Sequence, residues 1–275
     1  MKIVRLNGGL GNQMFQYAFA KELKYLYPDD EILLFGSNKE VEKIFDIDLP
    51  FANTKDVMKL GDIEETLFGK IKRHYFRKNT HILERNYSYN DAFQKITGNV
   101  YYDGYWQTEK YFPHFQSDIN NVFEFKAAVN KKNLELVENK KKYCSIHIRR
   151  GDYTTIKGYD VIGLDYYNQA INYIKETIPD VIFVFFSNDI EWCRKSFHIP
   201  NAFFVDWNQR ENSWQDLWLM SKCQYNIIAN STFSWWGAYL GDSKIVIAPK
   251  VWMNRKKDYY NYSFNDIIPE TWKRI

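Results

Sequence analysis

Cysteine is scarce: 275 residues hold three, Cys144, Cys193 and Cys223, widely spaced and with no CxxC pair. An odd, scattered set excludes a disulfide framework and a cysteine zinc site, and predicts buried thiols in a reducing compartment. Excess charge is scarce too, with 37 Lys+Arg against 34 Asp+Glu for a formal +3. That balance argues against a strongly basic nucleic-acid binder and against an acidic solvating tail. No apolar run approaches the ~20 residues of a membrane span. The opening Met1-Lys2-Ile3-Val4-Arg5-Leu6-Asn7 is too short and polar for a signal peptide, so a cytoplasmic protein is expected. The only tight acidic cluster, Asp29-Asp30-Glu31, falls in a helix-to-strand connector, so no metal site is expected.

What is present is ordinary globular composition, 45% hydrophobic and 26% charged, with one exception. Aromatic residues make up 18% of the chain. Flat rings with a polar edge suit the faces of sugars and bases, although a Tyr-rich core explains the same number. At roughly 150 residues per domain the length allows one large α/β domain or two smaller ones. Lys2 to Leu6 reads as a strand, Asn7 to Gly11 as a turn, Asn12 to about Tyr27 as a helix with Asn12 near its N-cap, and Glu31 to Phe35 as a strand. That is the opening of a Rossmann-like unit. Residues 40 to 98 are less regular and are expected to be helical. They carry the basic stretch Lys70, Lys72, Arg73, Arg77 and Lys78 beside Leu67, Phe68, Ile71 and Tyr75, a solvated stripe or a peripheral membrane contact. A lysine-rich segment over 128–142 suggests a domain boundary, giving domains 1–140 and 141–275, with the C-terminal tail free to return to the first. Beyond it, strands at 143–148, 181–186, 202–205, 225–229 and 244–248 alternate with helices, the pattern of a parallel, doubly wound sheet. Ligands are then expected at the carboxyl ends of strands, in a cleft between two Rossmann-like halves.

Four motifs fall at such ends. In His147-Ile148-Arg149-Arg150-Gly151-Asp152-Tyr153, strand alternation puts His147 and Arg149 on the face opposite Ile146 and Ile148, toward the cleft. A guanidinium fork suits two phosphate oxygens and Asp152 can steady it, although a structural Arg–Asp pair has the same letters. Ser231-Thr232-Phe233-Ser234 opens a helix, where free N–H groups favour phosphate; an ordinary cap predicts the same residues. Asp189, after Phe186-Ser187-Asn188, can accept from guanine or ribose, or cap the following helix. The turn Gly8-Gly9-Leu10-Gly11-Asn12-Gln13 is not GxGxxG, so a dinucleotide cofactor is disfavoured. Gly9 and Gly11 more plausibly let backbone approach a ligand in the cleft, with Gln13 beside it.

The Gly8 to Tyr17 stretch, Gly104-Tyr105-Trp106-Gln107-Thr108-Glu109-Lys110-Tyr111-Phe112, His147 to Tyr153, Ser187 to Asp189 and Ile227 to Gly237 together resemble the bacterial α-1,2-fucosyltransferases of glycosyltransferase family 11. The resemblance runs in order from residue 1 to about 250. It implies an α/β GT-B fold with two Rossmann-like domains, GDP-β-L-fucose as donor, inversion at the anomeric carbon and no essential metal or other cofactor. The HxRR pattern is shared with α-1,6- and protein O-fucosyltransferases, in which arginine contacts the donor diphosphate. The resemblance implies Arg149 on the diphosphate, with Arg150 the alternative, Ser231, Thr232 and Phe233 beside it, and Asp189 on the nucleoside. It places Asn12 near the reacting hydroxyl and Tyr105 and Trp106 in the acceptor wall. Tyr225 departs from the histidine expected in many relatives, in a strand ahead of the phosphate turn. The expected acceptor is O-2 of a galactoside in an oligosaccharide or glycolipid, a lipid-linked acceptor bringing the protein to the inner membrane face. Transfer to another hydroxyl or to protein, and a non-catalytic sugar-binding module, are the alternatives.

Overall fold

Ile3 and Val4 are β-branched and apolar, and with their neighbours they form β1 (Lys2–Arg5), the second strand of a parallel sheet. The computed structural model describes residues 1–63, 77–139, 141–151, 162–253 and 263–275. The chain divides into two units, Met1–Lys126 with Tyr262–Ile267, and Ala127–Asn261 with Ile268–Ile275. In the first, β2 (Ile32–Phe35), β1, β4 (Val100–Asp103) and β3 (His81–Leu83) lie side by side in that order, all parallel. Helix α1 (Leu10–Leu26) crosses from β1 to β2 and is buried over most of its surface. Its Phe19 stacks on Trp106 at 4.3 Å and meets Tyr102 and Tyr111 edge-on, while Ile3, Leu33, Val57, Leu60 and Tyr101 form a second cluster. Lys2 is buried and donates to Ile96 O and Gly98 O at 2.6 and 3.2 Å, which satisfies a charge few strands carry inside.

Two sequence expectations change here. Asn12 does not cap α1: Gly9 holds the N-cap position, because Gly8 at φ 78° turns the chain early and the helix begins at Leu10. The segment 40–98 is not simply helical, since it contains β3, an edge strand of three residues. Lys70, Lys72, Arg73 and the apolar residues beside them lie outside the described residues.

The second unit holds six parallel strands in the order β10 (Lys273–Arg274), β9 (Ile245–Ala248), β8 (Tyr225–Ile227), β5 (Tyr143–Ile148), β6 (Ile182–Ser187) and β7 (Phe203–Phe204). Helices Leu164–Thr177 and Ile190–Ser196 pack Tyr167, Ala170, Ile171, Ile174 and Cys193 against Cys144, Ile146 and Ile148 on one face. Helices Lys131–Glu138 and Trp214–Ser221 supply Leu136, Leu219 and Met220 to Tyr143, Val184 and Phe186 on the other. The lysine-rich stretch proposed as a boundary therefore contains a helix that belongs to the second unit. Asn133 fixes it there, donating to Asn208 and Gln215 and accepting from Trp207 Nε1 at 2.8 Å.

All three cysteines are free and buried, and burial pushes the thiols of Cys193 and Cys223 up to about 11 and 12. Among the described residues no helix is long and apolar enough to cross a membrane. Tyr166 ties helix Leu164–Thr177 to the sheet, its hydroxyl reaching Ile228 O at 2.7 Å and Ile247 O at 3.1 Å. Tyr166→Phe should lower stability by about 1–2 kcal/mol through loss of the buried hydrogen bond to Ile228 O, Ile247 O keeping the Ile228 N–H. Urea unfolding monitored by circular dichroism measures this directly.

Candidate active site

Strand order decides where each unit can hold a ligand. In the second unit the chain runs outward from β5 to β6 and β7, then returns to the opposite side of β5 for β8. The crossovers diverge between β5 and β8, and a crevice at such a switch point is where doubly wound sheets bind ligands. Arg149 follows β5, and the turn Ala229-Asn230-Ser231 leads from β8 into helix Thr232–Tyr239. The arginine and the helix start thus stand at adjacent strand ends flanking the switch. In the first unit β1 and β4 are neighbours, and the segments that follow them, Asn7-Gly8-Gly9 and Gly104-Tyr105-Trp106-Gln107, lie at adjacent strand ends.

His147 is buried, with Nδ1 lacking a hydrogen-bond partner, and its ring lies 5.8 Å from that of Phe233. Burial, followed by the positive charge of Arg149, drives its pKa down to about 3, so its imidazole is neutral at working pH. The expectation that alternation turns one face of β5 toward a cleft is corrected, because all six residues of the strand are buried between helices on both faces. Arg149 and Arg150, immediately past the strand, are half-buried. Helix Thr232–Tyr239 begins at Ser231 with no side-chain cap, and its first turn holds no acidic residue to occupy the positive end of the helix. Thr232 and Phe233 are half-buried there. Ser234 is not available to wrap a phosphate: it is fully buried, and its hydroxyl donates to Ser231 O at 3.2 Å.

The two arginines face different tasks. Arg150 Nε donates to Asp189 Oδ2 at 3.2 Å, and its guanidinium lies 4.0 Å from the centre of the Trp192 ring. The Arg150 N–H donates to Asn188 Oδ1 at 2.8 Å, and Asn188 Nδ2 returns a bond to Arg150 O, locking the ends of β5 and β6 together. Asp189 fills the cap role, Oδ1 accepting from Trp192 N at 3.2 Å, so both its oxygens have partners within the chain. Asn188 was quoted in the sequence motif without a role, and this lock is its role. Asp152 and Tyr153 lie outside the described residues.

In the first unit Asn12 Oδ1 accepts from Gln107 Nε2 at 2.8 Å, joining the start of α1 to the segment that follows β4. A Cβ on Gly8 would stand 2.4 Å from Asn12 Nδ2, whereas one on Gly9 would meet nothing within 4 Å. Gly11 is buried inside α1. Gln13 is no ligand-facing residue: it is fully buried, donating to Gly8 O and accepting from Val41 N. Trp106 is likewise corrected. It is fully buried in its stack on Phe19, whereas Tyr105 is half-exposed and lies within 3.5 Å of Asn7 Nδ2. Among the described residues no three His, Cys, Asp or Glu side chains gather to hold a metal ion. Sequence reasoning passed over Glu84, whose carboxylate accepts from the Tyr105 and Trp106 N–H groups.

The family model of glycosyl transferase family 11 matches residues 1–273. This chain belongs to glycosyl transferase family 11. Its relatives include the α-1,2-colitosyltransferase of Escherichia coli, 32% identical over 99% of this chain and 98% of that one. The O-antigen biosynthesis glycosyltransferase WbnK of the same organism is 32% identical over 90% and 93%. The galactoside α-(1,2)-fucosyltransferase 1 of Plecturocebus brunneus is 24% identical over 87% and 65%. Among solved structures, the fucosyltransferase NodZ from Bradyrhizobium superposes with a TM-score of 0.53 at 12% identity, covering 87% of this chain and 91% of NodZ. That likeness, with two parallel-sheet α/β units in one chain, gives this family 11 member the GT-B fold.

The opposite placements of Trp106 and Tyr105 predict opposite phenotypes. Trp106→Ala should cost about 3–5 kcal/mol of stability. Tyr105→Ala should stay within about 1 kcal/mol, because its ring is only half-buried. Thermal unfolding of the two variants side by side checks the contrast.

Proposed function

We propose that the protein is an inverting fucosyltransferase that moves L-fucose from GDP-β-L-fucose to O-2 of a galactoside, giving an α-1,2 linkage without a metal ion. The observation that carries the reading is the pairing of Arg149 with the uncapped start of helix Thr232–Tyr239 across the β5/β8 switch. Membership of family 11 supplies the reaction class. Two relatives named for α-1,2 transfer support the linkage, and WbnK supports a surface polysaccharide as acceptor.

In this reading the acceptor oxygen attacks the anomeric carbon from the face opposite GDP. The bond to the diphosphate breaks as the new glycosidic bond forms, the electron pair going to GDP and the acceptor hydroxyl's proton passing late to the leaving diphosphate or to solvent. Negative charge grows on the leaving GDP, and this is where Arg149 and the helix N–H groups gain strength between ground and transition state. His147, kept neutral by burial, adds no charge to that interaction. Asp189 accepts one bond on each oxygen and keeps an exposed side chain, so its remaining lone pairs meet the nucleoside, while Arg150, held by Asp189 and Trp192, is the weaker candidate for the diphosphate. Asn12 aligns the acceptor hydroxyl through an amide that donates and accepts. The site works in the cytoplasm, reaching lipid-linked acceptors at the inner membrane face.

One relative favours a second donor. Colitose is L-fucose without its 3-hydroxyl, so GDP-colitose offers the same diphosphate and nucleoside to the second unit. Incubation of each donor with lactose and N-acetyllactosamine, followed by linkage analysis, should show GDP release and an α-1,2 product from GDP-fucose, undiminished by EDTA. Transfer from GDP-colitose alone would reassign the donor, and activity that EDTA abolishes and a divalent ion restores would overturn the metal-free mechanism. Arg149→Lys keeps the charge but loses the fork, so kcat/KM should fall by about 100-fold or more with the melting temperature unchanged. Near-parent turnover would make Arg149 structural.

A further inference from the structure

Glu84 leaves β3 directly, its main-chain N–H donating to Asp103 O at 2.9 Å. Its Oε2 accepts from Tyr105 N at 2.6 Å and Trp106 N at 3.0 Å, while Oε1 is buried without a hydrogen-bond partner. A buried carboxylate is a costly anchor, since any oxygen acceptor could satisfy two N–H groups and only this one brings a charge to desolvate. Burial pushes the Glu84 carboxyl up to about 7 against the pull of those two bonds.

The segment it anchors is held from two further sides. Gln16 Nε2 donates to Gly104 O at 2.9 Å, and Gln107 Nε2 donates to Asn12 Oδ1 at 2.8 Å. Gly104 has no room for a side chain, as a Cβ there would stand 2.6 Å from Glu84 Cβ. Trp106 occupies the left-handed region at φ 55°, a strained choice for a bulky residue, and sends its indole into the core. The reversal leaves Tyr105 facing outward. Its ring lies parallel to that of Tyr87 at 6.0 Å, and Tyr87 stacks on Phe264 at 4.7 Å. Such a row of half-exposed rings suits the C–H faces of a sugar.

We propose that Glu84 is a positioning residue for the acceptor, fixing the Tyr105 ring and, through Gln107, the Asn12 amide at the neighbouring ends of β1 and β4. The assignment rests on the transferase reading and deepens it by naming what shapes the acceptor wall. Glu84 touches neither donor nor acceptor; it sets the segment that does.

The test compares full-length parent, Glu84→Ala, Glu84→Gln and Glu84→Asp for transfer to lactose, acceptor-free hydrolysis of the donor sugar nucleotide, and calorimetric GDP binding. Glu84→Ala should lose about 100-fold in kcat/KM for lactose, the scale of a misplaced reacting group. Its GDP affinity and acceptor-free hydrolysis should stay at parent levels. Glu84→Gln, whose amide oxygen can still accept both N–H groups, should recover most of the transfer. If Glu84→Ala does not fold, Glu84→Asp carries the same test, because its shorter side chain withdraws the carboxylate from both N–H groups. Parent-like lactose kinetics in Glu84→Ala or Glu84→Asp would overturn the assignment, as would parallel losses of GDP affinity and hydrolysis, which mark general damage. A parent that releases no GDP from GDP-fucose or GDP-colitose would instead overturn the transferase reading itself.

Discussion

Parallel strands cannot be joined by tight turns, so every connection crosses a face of the sheet, and where successive crossovers part company two neighbouring strand ends are left open. In the second unit of this chain the order β10-β9-β8-β5-β6-β7 opens such a gap between β5 and β8, beside Arg149 and the start of helix Thr232–Tyr239. In the first, the neighbouring ends of β1 and β4 bring the glycine turn and the Tyr105 segment together. The chemistry-bearing motifs gather at those two places, and the proposed division into donor and acceptor sides follows from it.

What surrounds each gap is a matter of which polar groups are already spent. Arg150, Asn188 and Asp189 bind one another at the ends of β5 and β6 and hold that side rigid. Gln13 and Gln16 brace the glycine turn from inside α1. In the proposed reaction Arg149 of the second unit and Asn12 and Tyr105 of the first are the side chains assigned to substrate. Neutral His147 fits the same logic, because a second cation buried beside Arg149 would be unstable and its pKa falls accordingly.

The second unit was the more legible in sequence, for a physical reason. Tyr143–Ile148, Ile182–Ser187 and Ile245–Ala248 are covered by helices on both faces, so each shows as a short apolar run between helical segments. His81–Leu83 and Val100–Asp103 carry polar ends; the second pairs with β1, far away in sequence, and the first pairs with the second. The edge strand Lys273–Arg274 is exposed and charged, and only its backbone makes it a strand. Site residues failed where side-chain direction depended on a single backbone angle. Nothing in Tyr105-Trp106 shows which ring turns inward until φ at Trp106 is known. Ser234 reads as a phosphate ligand until its hydroxyl is seen to bond back along its own helix. Glu84 had no pattern at all, being one carboxylate after a three-residue strand.

A crystal structure with GDP bound would show whether the donor diphosphate sits at the second unit's switch point. Phosphate oxygens are expected at the N-terminus of helix Thr232–Tyr239, within hydrogen-bonding distance of the Arg149 guanidinium. Diphosphate on the Gly8–Gly11 turn at the start of α1, or with Arg149 turned away from it, would rule that placement out.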